Sequence, residues 1–131
     1  APQRGLHGMF RQMGDASLSP QYWRIASLRG APVGPVTGSR EPHIILRGED
    51  GGYSATAGCD RLSGSYRASG TDITFEAPAQ VGPCPVALAD QQRALLEVLD
   101  AARSWSIQGQ GLELFDAART PIAVLEAVYL R

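Results

Sequence analysis

Residues 57–66 read Ala-Gly-Cys-Asp-Arg-Leu-Ser-Gly-Ser-Tyr, and they are followed by Gly-Pro-Cys-Pro at residues 82–85 and by a helical run at residues 86–103. Glycine and proline are the strongest local signals for turns. This stretch therefore predicts a hairpin that turns at Gly64, a second cysteine flanked by prolines, and one helix. The rest of the chain is organised around these elements.

The run from residue 86 to residue 103 has two distinct faces. Its polar residues recur at intervals of three and four, at Asp90, Arg93, Glu97 and Asp100. Its apolar residues fill the opposite stripe, at Leu88, Leu95, Val98, Leu99 and Ala102. This periodicity predicts one amphipathic helix whose apolar face packs in the main core.

Short alternating segments separated by Gly, Pro, Asn, Asp or Ser are typical of neighbouring antiparallel strands. Such segments occur at residues 22–28, 43–46, 53–57, 72–76, 105–108, 112–115 and 122–130. The last segment is nearly all apolar, so we expect it to be buried on both faces. With one long helix and no alternation of strands and helices, the pattern predicts an α+β fold with an antiparallel sheet of about seven or eight strands.

The length of 131 residues suits one compact domain, which we place at residues 21–131. Residues 1–20 are expected to be an arm or the tail of a preceding module. Twelve basic and thirteen acidic residues leave a net charge of −1, which argues against a nucleic-acid partner. No stretch approaches the roughly 20 apolar residues of a membrane-spanning helix.

The pattern Gly-Cys-[Asn/Asp]-x-x-x-Gly-x-Tyr, followed by a strand, a second Cys and a helix, resembles the META domain, the fold of the heat-inducible envelope protein HslJ. The residues that match this signature turn are Gly58, Cys59, Asp60, Arg61, Gly64 and Tyr66, with Asp60 standing where the family usually has Asn. Trp23 and Leu28 fit the opening strand of the family. The resemblance implies a curved antiparallel sheet packed on one long helix.

The resemblance also implies a disulfide between Cys59 and Cys84, because both match cysteines of the family and the implied envelope location is oxidising. The alternative is a pair of reduced thiols that are buried separately. At the signature turn, Asp60 could cap the turn and Tyr66 could pack its ring; a recognition surface at the rim of the sheet, formed with Arg61, is the alternative.

For function, the resemblance implies a non-enzymatic domain of the bacterial envelope, located in the periplasm or attached to the outer membrane. The resemblance also implies a binding role in stress response or antibiotic tolerance. The partner would be an unknown envelope protein or small ligand, and no cofactor is expected. We expect a monomer, with possible membrane attachment through a lipid anchor that precedes Ala1. No Gly-x-Ser-x-Gly elbow is present, and the sequence indicates no catalytic residue.

An alternative function rests on the first residues of the chain. Residues 8–16 faintly resemble a segment of NlpE-type copper-resistance lipoproteins. His7, Met9 and Met13 are soft donors that suit copper, so a copper-handling accessory domain of an envelope lipoprotein is the second hypothesis. The simpler interpretation is that these side chains pack on the sheet.

Overall fold

The computed structural model describes residues 16–33, 41–48, 51–59, 61–78 and 84–128. These ranges contain nine strands and one helix. In chain order they are β1 (Gln21–Leu28), β2 (Ala31–Pro32), β3 (His43–Leu46), β4 (Gly52–Thr56), β5 (Leu62–Ser69), β6 (Asp72–Phe75), α1 (Val86–Ala101), β7 (Ser104–Gln108), β8 (Gly111–Phe115) and β9 (Pro121–Val128).

The sheet closes on itself. From β3 to β8, each strand pairs antiparallel with the one that follows it in the chain, and β1 pairs with β3. Strand β1 also pairs with β9, from Tyr22↔Val128 to Leu28↔Ala123. The result is a closed eight-stranded antiparallel barrel, and the short β2 lies outside the ring on the end of β1. The prediction of an open, curved α+β sheet packed on a long helix was therefore wrong. Pairing of β1 with β9 removes the two exposed edges that such an open sheet would have.

The interior of the barrel is filled by side chains from all sides of the ring. Trp23, Ile44, Ala55 and Leu62 lie opposite one another on four successive strands of the ring, and each is at most 2% exposed. An eight-stranded barrel has an interior just wide enough for such a filling. The inward face of the strands is thus the hydrophobic core.

The apolar composition of the last strand suggested burial on both faces, but only one face is buried. In β9, Ala123 and Leu125 are buried, whereas Val124 and Glu126 are exposed. The strand alternates because one side faces the core and the other faces water, as in most antiparallel sheets.

The helix α1 covers one end of the barrel. It contacts β1 and β6, which occupy opposite positions in the ring of strands. Its buried residues confirm the predicted stripe and add one polar member: Leu88, Gln92, Leu95, Val98 and Leu99. At the opposite end, the Ala16 amide donates to the Gly109 carbonyl (2.7 Å) and the Trp23 indole N–H donates to the Leu18 carbonyl (2.9 Å).

The barrel is most weakly paired between β6 and β7. A single residue pair, Asp72↔Ser104, joins these strands, supported by backbone hydrogen bonds on either side. The rest of β7 pairs only with β8 within the described ranges. Within the described ranges, the seam therefore leaves most of the β7 edge that faces β6 without a strand partner.

Candidate functional site

Cys59 and Cys84 form a disulfide with a Cα–Cα distance of 5.4 Å. This distance lies within the range of about 4.4 to 6.8 Å that a disulfide requires. Cys59 follows β4, and only Pro85 separates Cys84 from the start of α1, so the bond ties the β4–β5 connection to the start of the helix. The disulfide implied by the family resemblance is therefore present, at the end of the barrel that the helix covers.

A side chain of the helix, Gln91, also holds the turn that precedes Cys59. The Gln91 amide donates to the Ala57 carbonyl (2.9 Å), and the Gln92 side-chain oxygen lies 2.9 Å from the Cys59 sulfur. Gly58 has a φ of +116°, and its amide donates to the Thr56 hydroxyl (3.0 Å). This part of the signature turn is thus a junction between strand and helix.

The remaining signature residues have different surroundings. Arg61 is exposed, and Asp60 lies outside the described residues. Gly64 and Tyr66 lie within β5, so the prediction of a hairpin turn at Gly64 was wrong. The Tyr66 ring is 8% exposed, and its hydroxyl donates to the Arg47 carbonyl (3.0 Å). Tyr66 therefore anchors β5 to the β3–β4 connection.

Two adjoining cavities lie beside β7. One, of about 250 Å³, is lined by Thr71, Ser104, Trp105, Ser106, Phe115 and Arg119. The other, of about 540 Å³, shares three of these residues and adds Ala16, Ser17, Leu18 and Ile107. The two cavities share Thr71, Trp105 and Ser106, and we refer to them together as the β7 groove.

Arg119 holds an unusual backbone conformation at one end of the β7 groove. Its φ is +66°, in the left-handed region that favours glycine. The neighbouring Asp116 carboxylate accepts the amides of Ala118 and Thr120 (both 2.9 Å), and within the described residues Arg119 forms no salt bridge. By contrast Arg29, with a φ of +50°, lies 3.6 Å from the Glu97 carboxylate.

The wall of the β7 groove offers further hydrogen-bonding groups. The Trp105 indole N–H is buried and has no acceptor in the described part of the chain. The hydroxyls of Thr71, Ser104 and Ser106 come from the adjacent ends of β6 and β7. The groove therefore combines one cation, several hydroxyls and an aromatic ring.

A second polar cluster lies on β1 and β3. The Tyr22 hydroxyl donates to the Glu41 carboxylate (2.9 Å), and the His43 ring stacks on the Tyr22 ring with centroids 4.5 Å apart. Burial, followed by the hydrogen bond to Glu41, raises the pKa of Tyr22 to about 12. The phenol is thus held in its protonated form, which is the opposite of what an activated tyrosine base requires.

His7, Met9 and Met13, the copper candidates, lie outside the described residues. Across the described ranges, no three His, Cys, Asp or Glu side chains come together as a metal site would require. No helix in those ranges is long and apolar enough to cross a bilayer.

The sequence model of the META domain matches residues 16–129 of this chain. The chain belongs to the META domain family. Residues 16–20, which cover one end of the barrel, are included in the match. No curated protein matches this META domain at a significant level.

Solved structures with the same fold have low sequence identity to this META domain. A protein from Burkholderia xenovorans is 15% identical with a TM-score of 0.64, and the match covers 86% of this chain and 85% of the other. A DUF4847 family protein from Bacteroides vulgatus is 11% identical with a TM-score of 0.62, covering 86% and 96%. A third protein, solved by NMR, is 21% identical with a TM-score of 0.60, covering 83% and 90%. At these identities the likeness shows a shared fold.

Sequence reasoning did not identify the β7 groove of this META domain. Its polar residues, Thr71, Ser104, Ser106 and Arg119, are scattered along the chain and form no motif. One weak signal was present. Residues 116–120 form a turn without glycine, so a residue with a side chain had to take any positive φ that the turn requires.

Proposed function

We propose that this META domain is a non-enzymatic binding domain of the bacterial envelope, located in the periplasm or attached to the outer membrane. Its role would lie in stress response or antibiotic tolerance, as the resemblance to HslJ implies. The observation that carries this proposal is the disulfide between Cys59 and Cys84.

Disulfides form and persist in oxidising compartments and are rare in the bacterial cytosol. The bond closes a loop with a sequence separation of 25, which stabilises the native state by roughly 3 kcal/mol in the chain-entropy model. It fastens the helix to the barrel at the end that the helix covers. A domain of the envelope, where the bond stays oxidised, would retain this stabilisation.

A binding role is supported by what the polar residues do. Gly64 and Tyr66 pack within the barrel, and Gln91 holds the turn before Cys59. The barrel interior is filled, so recognition would use an outer surface such as the β7 groove.

Fractionation of cells tests the location. The complete coding sequence, with a C-terminal epitope, should be expressed in its native host, and we expect the protein in the periplasmic or outer-membrane fraction. Recovery with a cytosolic marker enzyme would contradict the envelope proposal.

Survival of a deletion strain tests the role. We expect lower survival after heat shock or antibiotic exposure, restored by the wild-type gene and only partly by the Cys59→Ser/Cys84→Ser variant. Equal survival of the deletion and parent strains under both stresses would contradict the stress role.

A further inference from the structure

We propose that the β7 groove binds a monocarboxylate that carries an apolar tail, with its carboxylate on Arg119 and its tail toward Trp105, Ile107 and Leu18. The inference deepens the proposed binding role by naming a class of ligand, and it rests on that role. It stands on three features of the groove: a cation without an ion-pair partner in the described ranges, cavity walls that include hydroxyl residues and no acidic residue, and an apolar continuation.

The first feature is the conformation and charge of Arg119. Left-handed backbone at a residue other than glycine, asparagine or aspartate is unfavourable, and such strain often accompanies a functional constraint. At Arg29, the other arginine with positive φ, the side chain has Glu97 as an ion-pair partner. Arg119 has no such partner in the described ranges, although it lines the groove. A bound anion would supply the missing partner.

The second feature is the kind of anion that the site favours. None of the residues that line the two cavities of the groove is acidic. One guanidinium, with the hydroxyls of Thr71, Ser104 and Ser106 around it, balances a single negative charge. The planar fork of donors on arginine matches a carboxylate in a bidentate arrangement. A monocarboxylate therefore fits the site better than a phosphate dianion.

The third feature is the apolar continuation of the groove. Beyond Trp105 the larger cavity, of about 540 Å³, is lined by Leu18, Ile107 and Ala16. Trp105 lies in the wall of both cavities, and its buried indole N–H lacks an acceptor within the described residues. A ligand whose polar head lies near Arg119 and whose tail follows β7 would pass this ring.

Titration of the full-length, ¹⁵N-labelled chain with octanoate, below its micelle concentration, tests the proposal. The two indole N–H signals act as probes, because Trp105 lines the groove whereas the Trp23 side chain is fully buried and its N–H is bonded to Leu18. A Trp105→Phe variant assigns them. We expect a saturable shift of the Trp105 signal and a smaller shift of the Trp23 signal. Absence of a saturable Trp105 shift would overturn the proposal.

Matched glycine variants test the role of Arg119. Glycine accepts a positive φ, so Arg119→Gly and Arg29→Gly should both fold, which their amide spectra would verify. We expect octanoate to bind about tenfold or more weakly to Arg119→Gly, as when a charge-assisted hydrogen bond is lost, and normally to Arg29→Gly. Equal affinity of the two variants would overturn the assignment of Arg119.

Head-group analogues test the ligand class. Octanol and octylamine should bind much more weakly than octanoate, and octyl phosphate should bind no more tightly. Equal binding of octanol would reduce the site to an apolar surface, and tighter binding of octyl phosphate would make it a phosphate site; either result would overturn the carboxylate assignment. These titrations use purified protein, so their failure would leave the cell fractionation and survival tests of the proposed function unaffected.

Discussion

Tyr53 lies directly opposite Gly64 on the neighbouring strand, and a Cβ atom at position 64 would come within 2.9 Å of the Tyr53 ring. The ring cannot easily retreat, because its hydroxyl donates to the Glu76 carbonyl (2.7 Å) and its edge packs against Phe75 with centroids 5.4 Å apart. The glycine of the family signature is therefore a packing residue in this chain. It makes room for an aromatic ring in the barrel interior.

Replacing Gly64 by alanine should lower the free energy of unfolding by about 1 to 3 kcal/mol, the usual range for overpacking a core. Gly111→Ala is a matched control, since Gly111 also lies in a strand but its nearest atom to an added Cβ is 3.5 Å away. Chemical denaturation of both variants measures the difference. Similar losses at the two positions would show that the Tyr53 ring can move aside.

The helix should be sensitive to truncation on its inner face alone. Leu99 is 2% exposed in the core, so Leu99→Ala should destabilise the domain by about 2 to 5 kcal/mol. Arg93 is exposed and pairs with Asp90 across one turn, so Arg93→Ala should cost less than about 1 kcal/mol. Equal, small losses in denaturant melts would mean that the helix does not cover the barrel as described.

Deletions at the N-terminus should separate two possible boundaries. The sequence suggested that the domain begins at residue 21, whereas Ala16 and Leu18 make hydrogen bonds with Gly109 and Trp23. We expect removal of residues 1–15 to preserve a cooperative thermal transition, and removal of residues 1–20 to lower its midpoint because the buried Trp23 N–H loses its acceptor. Equal midpoints for the two deletions would support the boundary at residue 21.

Tyr22 should give the domain a specific response to alkaline pH. Its pKa is raised from the ordinary value of 10.0 to about 12, so its contribution to stability is complete below pH 10 and is lost as the pH rises through 12. Absorbance of phenolate at alkaline pH measures this directly. In Tyr22→Phe, the absorbance change above pH 10 should lose the contribution of one phenol, and stability should fall less between pH 10 and 12. Tyr53, whose pKa is also raised by burial, keeps its contribution. Loss of a component near pH 10 instead would contradict the burial of Tyr22 together with its hydrogen bond to Glu41.

Much of the secondary structure could be predicted from local patterns. The apolar stripe of α1 was correct from Leu88 to Leu99, because a helix on a core shows its burial in its own periodicity. Strand β3 was also predicted with its observed bounds. Closure of the barrel could not be predicted in this way. The pairing Ile25↔Leu125 joins residues 100 positions apart, and alternation in a strand does not specify its partner.

The errors at single residues have the same origin. Gly64 was assigned to a turn because glycine usually marks one, yet its role depends on the Tyr53 ring across the strand. The groove residues Ser104 and Arg119 come together only when β7 and the β8–β9 turn are in place. The disulfide could be predicted from the sequence because both cysteines matched a family pattern. Contacts between residues far apart in the chain are difficult to predict from one sequence when no family pattern marks them.

The redox state of Cys59 and Cys84 in cells tests the central claim, a disulfide-fastened barrel of the envelope, most directly. The tagged protein should be trapped in its native host with an alkylating reagent under non-reducing conditions, and the modified cysteines should be counted by mass spectrometry. We expect no alkylated cysteine before reduction and two after it. Two alkylated cysteines in natively exported protein before reduction would contradict the disulfide and remove the main physical support for the envelope location.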